Sequence, residues 1–297
     1  MPATASWPAP ELRLAAGAMR LHLAPALGGA IAGWWHDGLA LLRPPAPGAA
    51  TVRDLASFPL IPFSNRIAQG RFCFAGESYN LPRDVRDARH AMHGNALYAA
   101  WQVAGTTSHT ARLTLRYQPG EAQTPYFPFA YEAAQTYCLT ETALQIGLTL
   151  RNAGTRPFPA GFGHHLYFPR HSGAVLRFNA SGYWRNGPDG LPAATATDLC
   201  DAYARGARIG AHVVDNGFYG WDGMAEISYP AEHLTLRLTA TPPLRHAVLF
   251  VPEGRDFFAF EPVSHSTDAI NRAPAEMRVL APNETMHAQI VLSVEAR

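Results

Sequence analysis

The chain has 297 residues, of which 16% are charged and 47% are hydrophobic, and its formal net charge is +1. A nearly neutral chain exerts no long-range attraction on nucleic acid or anionic lipid, so neither is expected as a partner. The most apolar stretch, residues 15–35, is interrupted by Arg20, His22 and Pro25, which argues against a membrane span. The composition predicts a globular protein with a large core.

The N-terminus and the cysteines indicate where the protein acts. Residues 1–8 have neither a basic segment nor an apolar run of the kind found in signal peptides. Cys73, Cys138 and Cys200 are odd in number and far apart, which is not typical of a disulfide framework. The thirteen histidines lack the spacing of zinc sites. We therefore expect a cytoplasmic protein without a bound metal.

Alternation of apolar and polar residues predicts strands along the chain, in residues 113–117, 144–151, 234–239 and 286–294. Many short strands separated by Gly and Pro favour a β-sandwich or a barrel.

Turn-like residues predict two hairpins, one within residues 131–152 and one within residues 71–81. The best helix candidate is residues 198–208. The 25 prolines are spread along the chain rather than concentrated in a linker, so we expect a single domain over residues 1–297.

Glu261 is the first candidate for chemistry, because it lies between an aromatic run, residues 257–260, and Pro262. Proline cannot donate to a strand ladder, so the strand should end there with Glu261 at its mouth. Burial among aromatic side chains raises the pKa of a carboxyl, as a general base working near neutral pH requires. The alternative is a glutamate at the rim that pairs with an arginine and has no chemical role.

Two adjacent histidines, His164 and His165, form the second candidate. Histidine can both give and take a proton near neutral pH. In an extended segment their side chains point to opposite faces, so only one of them can reach a given pocket. The alternative is a hydrogen-bonded histidine in the core.

The chain resembles the aldose 1-epimerases, also called the galactose mutarotase family. The resemblance extends from about Gly28 to the C-terminus. It is carried by the segments Asn65-Arg66-Ile67, His93-Gly94, His165-Leu166-Tyr167-Phe168, Asp215-Asn216-Gly217-Phe218, Glu261-Pro262 and Asp268-Ala269-Ile270-Asn271. It implies an all-β fold, a large antiparallel β-sandwich in which one sheet cradles a sugar.

The resemblance also implies a reaction and a set of roles. A cyclic aldose inverts at its anomeric carbon by opening to the aldehyde, rotating and closing, which requires one base and one acid but no cofactor. By the resemblance, Glu261 is the general base and His165 the general acid, with His165 kept protonated near neutrality. His93 would lie near the ring oxygen, and Arg66 and Asp215 would bind sugar hydroxyls.

Several of these residues have ordinary structural alternatives. Arg66 could form a salt bridge under a loop, and Asp215 could cap a turn before Asn216-Gly217. Trp221, Phe218 and Tyr167 could form an apolar platform for a sugar, although aromatic residues more often pack in a core.

Other functions remain open at this point. One is a carbohydrate-binding sandwich without activity, and another is a glycoside hydrolase that uses Asp215 and Glu261 as paired carboxylates. A third is a hexose-6-phosphate mutarotase, for which Arg83, Arg86 and Arg89 could bind the phosphate. Because aspartates are interleaved among these arginines, we expect the charges of this loop to neutralise one another. The activity should then depend only weakly on the salt concentration.

We expect the partner to be a small sugar, and the protein to be a monomer or weak homodimer.

Overall fold

Alternating apolar residues form strands through most of the chain. The structure is a computed structural model that describes residues 11–45, 48–120 and 125–296. The first strands are β1 Leu12–Ala16, β2 Met19–Ala24, β3 Ala30–His36, β4 Leu39–Leu42, β5 Ser57–Leu60, β6 Arg66–Ile67, β7 Arg71–Phe74, β8 Glu77–Asn80, β9 Ala91–Met92, β10 Gln102–Thr106, β11 Thr110–Tyr117, β12 Tyr131–Leu139 and β13 Ala143–Asn152.

The second half of the chain continues the pattern. Its strands are β14 Phe158–Ala160, β15 Gly163–Pro169, β16 Val175–Phe178, β17 Gly182–Asn186, β18 Pro192–Ala196, β19 Ala207–Arg208, β20 Val214–Tyr219, β21 Met224–Tyr229, β22 Leu234–Ala240, β23 His246–Val251, β24 Phe257–Val263, β25 Arg278–Leu280 and β26 Thr285–Ala296. Two short α-helices, α1 Asp198–Ala204 and α2 Ala269–Arg272, and several single 3₁₀ turns lie between them.

Two large antiparallel sheets face each other. The eleven-stranded sheet has the order β1-β2-β3-β5-β15-β24-β23-β20-β17-β18, with β4 paired to β3. The nine-stranded sheet has the order β10-β11-β12-β13-β26-β22-β21-β16-β19. Three two-stranded ribbons, β6–β9, β7–β8 and β14–β25, connect and flank them. This confirms the all-β antiparallel sandwich. Residues 1–10 of the expected single domain lie outside the described part.

The core lies between the inner faces of the two sheets. In β13, Leu144, Ile146, Leu148 and Leu150 point inward and are at most 1% exposed, whereas the residues between them are only half-buried. Burial of each such side chain stabilises the fold by roughly 1.5–3 kcal/mol. The side chains at the alternating apolar positions of the sequence therefore form the core that holds the two sheets together.

The local predictions are largely confirmed. The four predicted strands are parts of β11, β13, β22 and β26, and the two predicted hairpins are β12–β13 and β7–β8. The predicted helix is present but ends at Ala204. The three cysteines are free. No helix in the described residues is long and apolar enough to cross a membrane.

The prediction that Pro262 ends its strand is wrong. β24 continues to Val263, and Pro262 is paired with Ala247 on β23. On the other side, β24 pairs with β15 at Val263–Gly163 and next at Ala259–Tyr167, and the positions between these two pairs are unpaired. A proline removes only one donor, so β23 can hold the strand while the pairing with β15 is interrupted. His165 and Glu261 lie within that interruption.

Candidate active site

The register of three strands brings Glu261 and His165 together on the outer face of the eleven-stranded sheet. His165 on β15 pairs with Phe58 on β5, and Glu261 on the neighbouring β24 pairs with Val248 on β23. His165 Nε2 lies 3.1 Å from Glu261 Oε1. The two residues are 6% and 2% exposed. An imidazole and a carboxyl group are thus adjacent in a largely water-excluded position.

Each member of this pair also has a polar atom without a partner. Glu261 Oε2 and His165 Nδ1 are buried and form no hydrogen bond with the described residues. A buried polar group without a partner costs roughly 1–3 kcal/mol, so such atoms are rare in folded proteins. Phe58 and Tyr167 hold the His165 ring, with centroids at 4.7 and 4.3 Å. This arrangement is typical of a site that is completed by a ligand.

Burial sets the protonation of the pair. It raises the pKa of Glu261 well above its usual value, and the nearby charge of Asp215 adds to this, while Arg66 opposes it. Burial also lowers the pKa of His165 well below its usual value, assisted by the positive charge of Arg53. The raised pKa of Glu261 agrees with the expectation, but the lowered pKa of His165 is opposite to it. Both shifts favour the uncharged form of each group, so the pair shares one titratable proton.

His164 has a different environment, although it is the adjacent residue. Its side chain points inward, where Nε2 lies 3.2 Å from Gln135 Oε1 of the nine-stranded sheet and Nδ1 bonds to Ser57 Oγ. Burial lowers the pKa of His164 to about 3. The predicted opposite orientation of the two histidines is confirmed, and His164 is a hydrogen-bonded core residue.

His93 reaches the same face from the ribbon β6–β9. Its Nδ1 accepts a hydrogen bond from the backbone N–H of Asn65, at 3.2 Å, so the proton of the neutral ring is on Nε2. Burial, followed by the charge of His165, lowers the pKa of His93 well below its usual value and keeps the ring neutral. The His93 and His165 rings lie 5.5 Å apart. His93 can therefore present an N–H donor beside the pair.

Arg66 is held in place by several contacts around the same ribbon. Its Nε donates to Asp87 Oδ2 at 3.0 Å, which is the salt bridge considered as the alternative. Asn65 Oδ1 accepts from the Arg66 backbone N–H, and the Arg66 carbonyl accepts from the N–H of Asp268. The Arg66 charge nevertheless acts on Glu261, whose pKa it lowers against the effect of burial. Arg66 is both ion-paired and close to the site.

Asp215 lies on the same face, within β20 and two strands from Glu261. The turn-cap alternative is therefore wrong. Its carboxylate is exposed and forms no hydrogen bond or ion pair with the described residues. The surrounding protein still desolvates it enough to raise its pKa, an effect that Arg66 opposes. Asp215 is an acceptor that remains available to a ligand.

The aromatic residues on the site face differ from those considered from the sequence. Trp221 and Phe218 are 1% and 0% exposed and belong to the core, whereas Tyr167 lies on the site face. Sequence reasoning missed Trp184 of β17, which is half-buried and lies over Gly217. Its ring is 3.5 Å from the position that a Cβ atom on Gly217 would take. The only sequence signal for Trp184 was its position next to Tyr183. Because Tyr183 points into the core, the next residue of the strand must point to the opposite face. In the described residues, no group of three or more His, Cys, Asp or Glu side chains is arranged to hold a metal ion.

Comparison with known proteins gives one family. A family model described as Aldose 1-epimerase matches residues 11–293. The uncharacterized protein YphB of Escherichia coli is 31% identical over an alignment of 297 positions that covers 95% of this chain and 98% of that protein.

Solved structures agree with this result. The crystal structure of a candidate aldose 1-epimerase from Escherichia coli K12 has a TM-score of 0.88 at 30% identity, covering 97% of this chain and 99% of the other. A galactose mutarotase-like protein from Clostridium acetobutylicum has a TM-score of 0.84 at 17% identity, covering 96% and 95%.

Proposed function

The chain belongs to the aldose 1-epimerase family, and we propose that it interconverts the α and β anomers of an aldohexose without a cofactor. The family supplies the class of enzyme, an isomerase that acts on a sugar. The residues and the mechanism are inferred from the geometry of the site.

One observation carries the proposal: Glu261 and His165 are adjacent, buried and each left with a polar atom that the protein does not satisfy. Ring opening needs a base for the anomeric hydroxyl proton and an acid for the ring oxygen. Glu261 Oε2 can accept the hydroxyl proton, while His165 can protonate the ring oxygen. The two groups are 3.1 Å apart and share one titratable proton, so this proton can pass between them. Each group can thereby return to its starting protonation state after each half of the cycle.

The surrounding residues orient the sugar. His93 offers its Nε2–H to the ring oxygen or a neighbouring hydroxyl, because its Nδ1 is already occupied by Asn65. Arg66 has donors beyond the Nε that binds Asp87, and the Asp215 carboxylate accepts from hydroxyls. Trp184 offers an aromatic face near Gly217 on which a sugar can stack.

Two of the three alternative functions, the glycoside hydrolase and the sugar-binding protein, receive less support from this arrangement. A glycoside hydrolase uses two carboxyl groups on either side of the scissile bond, whereas the group directly beside Glu261 is an imidazole. A pure sugar-binding protein gains nothing from a buried acid–base pair with unsatisfied atoms. We therefore favour acid–base epimerisation.

Polarimetry tests the proposal directly. Freshly dissolved α-anomers of a panel of aldoses should reach the anomeric equilibrium faster with the protein than without it. Glu261→Gln keeps the shape of the side chain but cannot accept the proton, so kcat should fall about 10²–10⁴-fold. Glu295→Gln, an exposed residue on β26, is the matched control and should retain activity. Near wild-type turnover by Glu261→Gln at saturating sugar would exclude Glu261 as the base.

The proposal includes the expectation that the protein works in the cytoplasm as a monomer or weak homodimer, with a small sugar as its ligand. Size-exclusion chromatography with light scattering at assay concentrations measures the oligomeric state. A stable tetramer would contradict this part of the proposal.

A further inference from the structure

One arginine beside the candidate active site contacts the aromatic ring that holds His165. A cleft of about 790 Å³ next to the site is lined in part by Tyr167 and by five arginines, Arg43, Arg53, Arg86, Arg170 and Arg255. The Tyr167 ring packs against the His165 ring, with centroids 4.3 Å apart. The guanidinium carbon of Arg43 lies over the same Tyr167 ring, 3.9 Å from its centroid. Arg43 and the candidate acid therefore contact one aromatic side chain.

Arg43 is fixed through both its backbone and its side chain. Its backbone N–H donates to the carbonyl of Tyr167 at 2.9 Å. Its Nη2 donates to the carbonyls of Arg53 and Leu55, at 2.8 and 2.7 Å, and its guanidinium carbon lies 4.4 Å from the ring centroid of Phe257. The guanidinium cannot turn away from Tyr167 without breaking these hydrogen bonds, so it is held in one orientation.

The charge of Arg43 is poorly neutralised. Arg43 forms no ion pair with a carboxylate of the described residues, and its buried Nε has no hydrogen-bond partner among them. Burial lowers the pKa of Arg43, which Asp54 and Asp256 oppose from a distance, but an arginine stays protonated in a folded protein. Arg53, by contrast, is paired with the buried carboxylate of Asp84. Arg43 thus keeps a full positive charge next to Tyr167.

The ionisable groups around His165 come from several parts of the chain. They are Arg43, Arg53, His93, His164, Tyr167 and Glu261. Burial is the main cause of the lowered pKa of His165, and the charges of Arg53 and Arg43 follow. Burial also lowers the pKa of His93 and raises the pKa of Tyr167 to about 12, so both remain uncharged. Arg43 is therefore one of two cations that disfavour a second positive charge on His165.

We infer that Arg43 is a positioning residue for the candidate acid, because it holds the Tyr167 ring against His165 and places a fixed positive charge beside that ring. The inference rests on the proposed function, in which His165 protonates the ring oxygen. An imidazolium close to a cation gives up its proton more readily, which suits a group that donates and regains a proton in each cycle. The position of the ring matters as well, since a displacement of about 1 Å can cost about 10²-fold in rate.

The variant Arg43→Met tests both parts of this role. It keeps the apolar stem of the side chain and removes the charge and the hydrogen bonds. Its kcat should fall about tenfold or more with a smaller change in KM, because Arg43 acts on the acid rather than on the sugar. Both limbs of the pH profile of kcat/KM should move to higher pH by about one unit, because loss of a nearby positive charge raises the proton affinity of the Glu261–His165 pair.

Arg255→Gln is the matched control for Arg43→Met. Arg255 is an exposed arginine of the same cleft, and in the described part of the chain its guanidinium lies over no aromatic ring. Its removal should leave kcat and the pH profile unchanged. A fall in kcat of Arg43→Met without the pH shift is what a merely structural role predicts, and it would overturn the inference. A pH shift without a fall in kcat, or an equal effect of Arg255→Gln, would also overturn it.

Arg43→Lys separates the charge from the stacking, and it keeps the test decisive if Arg43→Met does not fold. The ammonium group retains the positive charge but has no planar face to lie over Tyr167. Both limbs of the pH profile should therefore stay where they are in the wild type, whereas kcat should fall by less than in Arg43→Met. Wild-type kcat in Arg43→Lys, or a shifted profile, would contradict the role assigned to Arg43.

Histidine NMR measures the charge effect without turnover. The ring signals of His165, assigned with His165→Asn, should titrate about one pH unit higher in Arg43→Met than in the wild type, in the absence of sugar. Unchanged titration of His165 in Arg43→Met would overturn this inference alone. A lack of turnover of every aldose by the wild type would instead reject the proposed function, while the shift of the His165 signals would still decide whether Arg43 acts on that ring.

Discussion

The two faces of β15 and β24 show how one sheet separates stability from chemistry. On the inner face, His164 bonds to Ser57 and Gln135, so both of its ring nitrogens have partners. On the outer face, His165 and Glu261 are also buried, but each has an unsatisfied atom. Burial alone therefore does not identify a site. What distinguishes the outer face is burial combined with incomplete hydrogen bonding.

The largest expected effect is the difference between variants of the two adjacent histidines. His165→Asn should lower kcat by about 10²–10⁴-fold, because it removes an acid–base group. His164→Asn should keep kcat within a few-fold of wild type but destabilise the fold by about 1–3 kcal/mol, because it disturbs a satisfied buried network. Steady-state kinetics and urea unfolding measure the two effects. If the losses were exchanged between the variants, the acid would be His164.

The pH dependence sharpens the same comparison. The profile of kcat/KM should be bell-shaped, with apparent pKa values that belong to the Glu261–His165 pair. In His165→Asn one ionisation should remain, that of Glu261, and activity should then rise with pH through its raised pKa. His164→Asn should retain both limbs. If the pH profile of His165→Asn remained bell-shaped, its alkaline limb would have to come from the ionisation of another group.

A smaller effect is expected from the residues that orient the sugar. Asp215→Asn and Arg66→Gln should each raise KM by about tenfold with a smaller change in kcat, because they bind hydroxyls in the ground state as well as the transition state. Asp201→Asn on α1 is a control away from the site. A loss confined to kcat would instead place these residues in the chemistry.

The smallest effect concerns stability. Folding raises the pKa of Glu261, so the stability supplied by its protonated form is complete below about pH 4.3 and is lost as the pH rises through the folded pKa. Glu261→Gln has no such loss and should become more stable than wild type as the pH rises, by about 0.5–2 kcal/mol. Thermal unfolding between pH 4 and pH 8 measures it. A constant difference over this range would mean that Glu261 is not strained by burial.

Local patterns predicted the fold well, because they are set by neighbouring residues. Alternation located β13 and β26, and turn residues located the β12–β13 hairpin. The end of β24 was missed because Pro262 affects only one of two neighbouring strands. Trp184 was missed because its exposure depends on Gly217, which a different strand supplies.

The sequence alone determined the alternation of faces, and with it the opposite directions of His164 and His165, because a side-chain period of two is a property of the extended backbone. Only the tertiary structure decided that β24 lies beside β15, so that Glu261 meets His165, and that five distant arginines share one cleft. It also decided the directions of the pKa shifts, because burial and the positions of other charges depend on the packing of the whole chain.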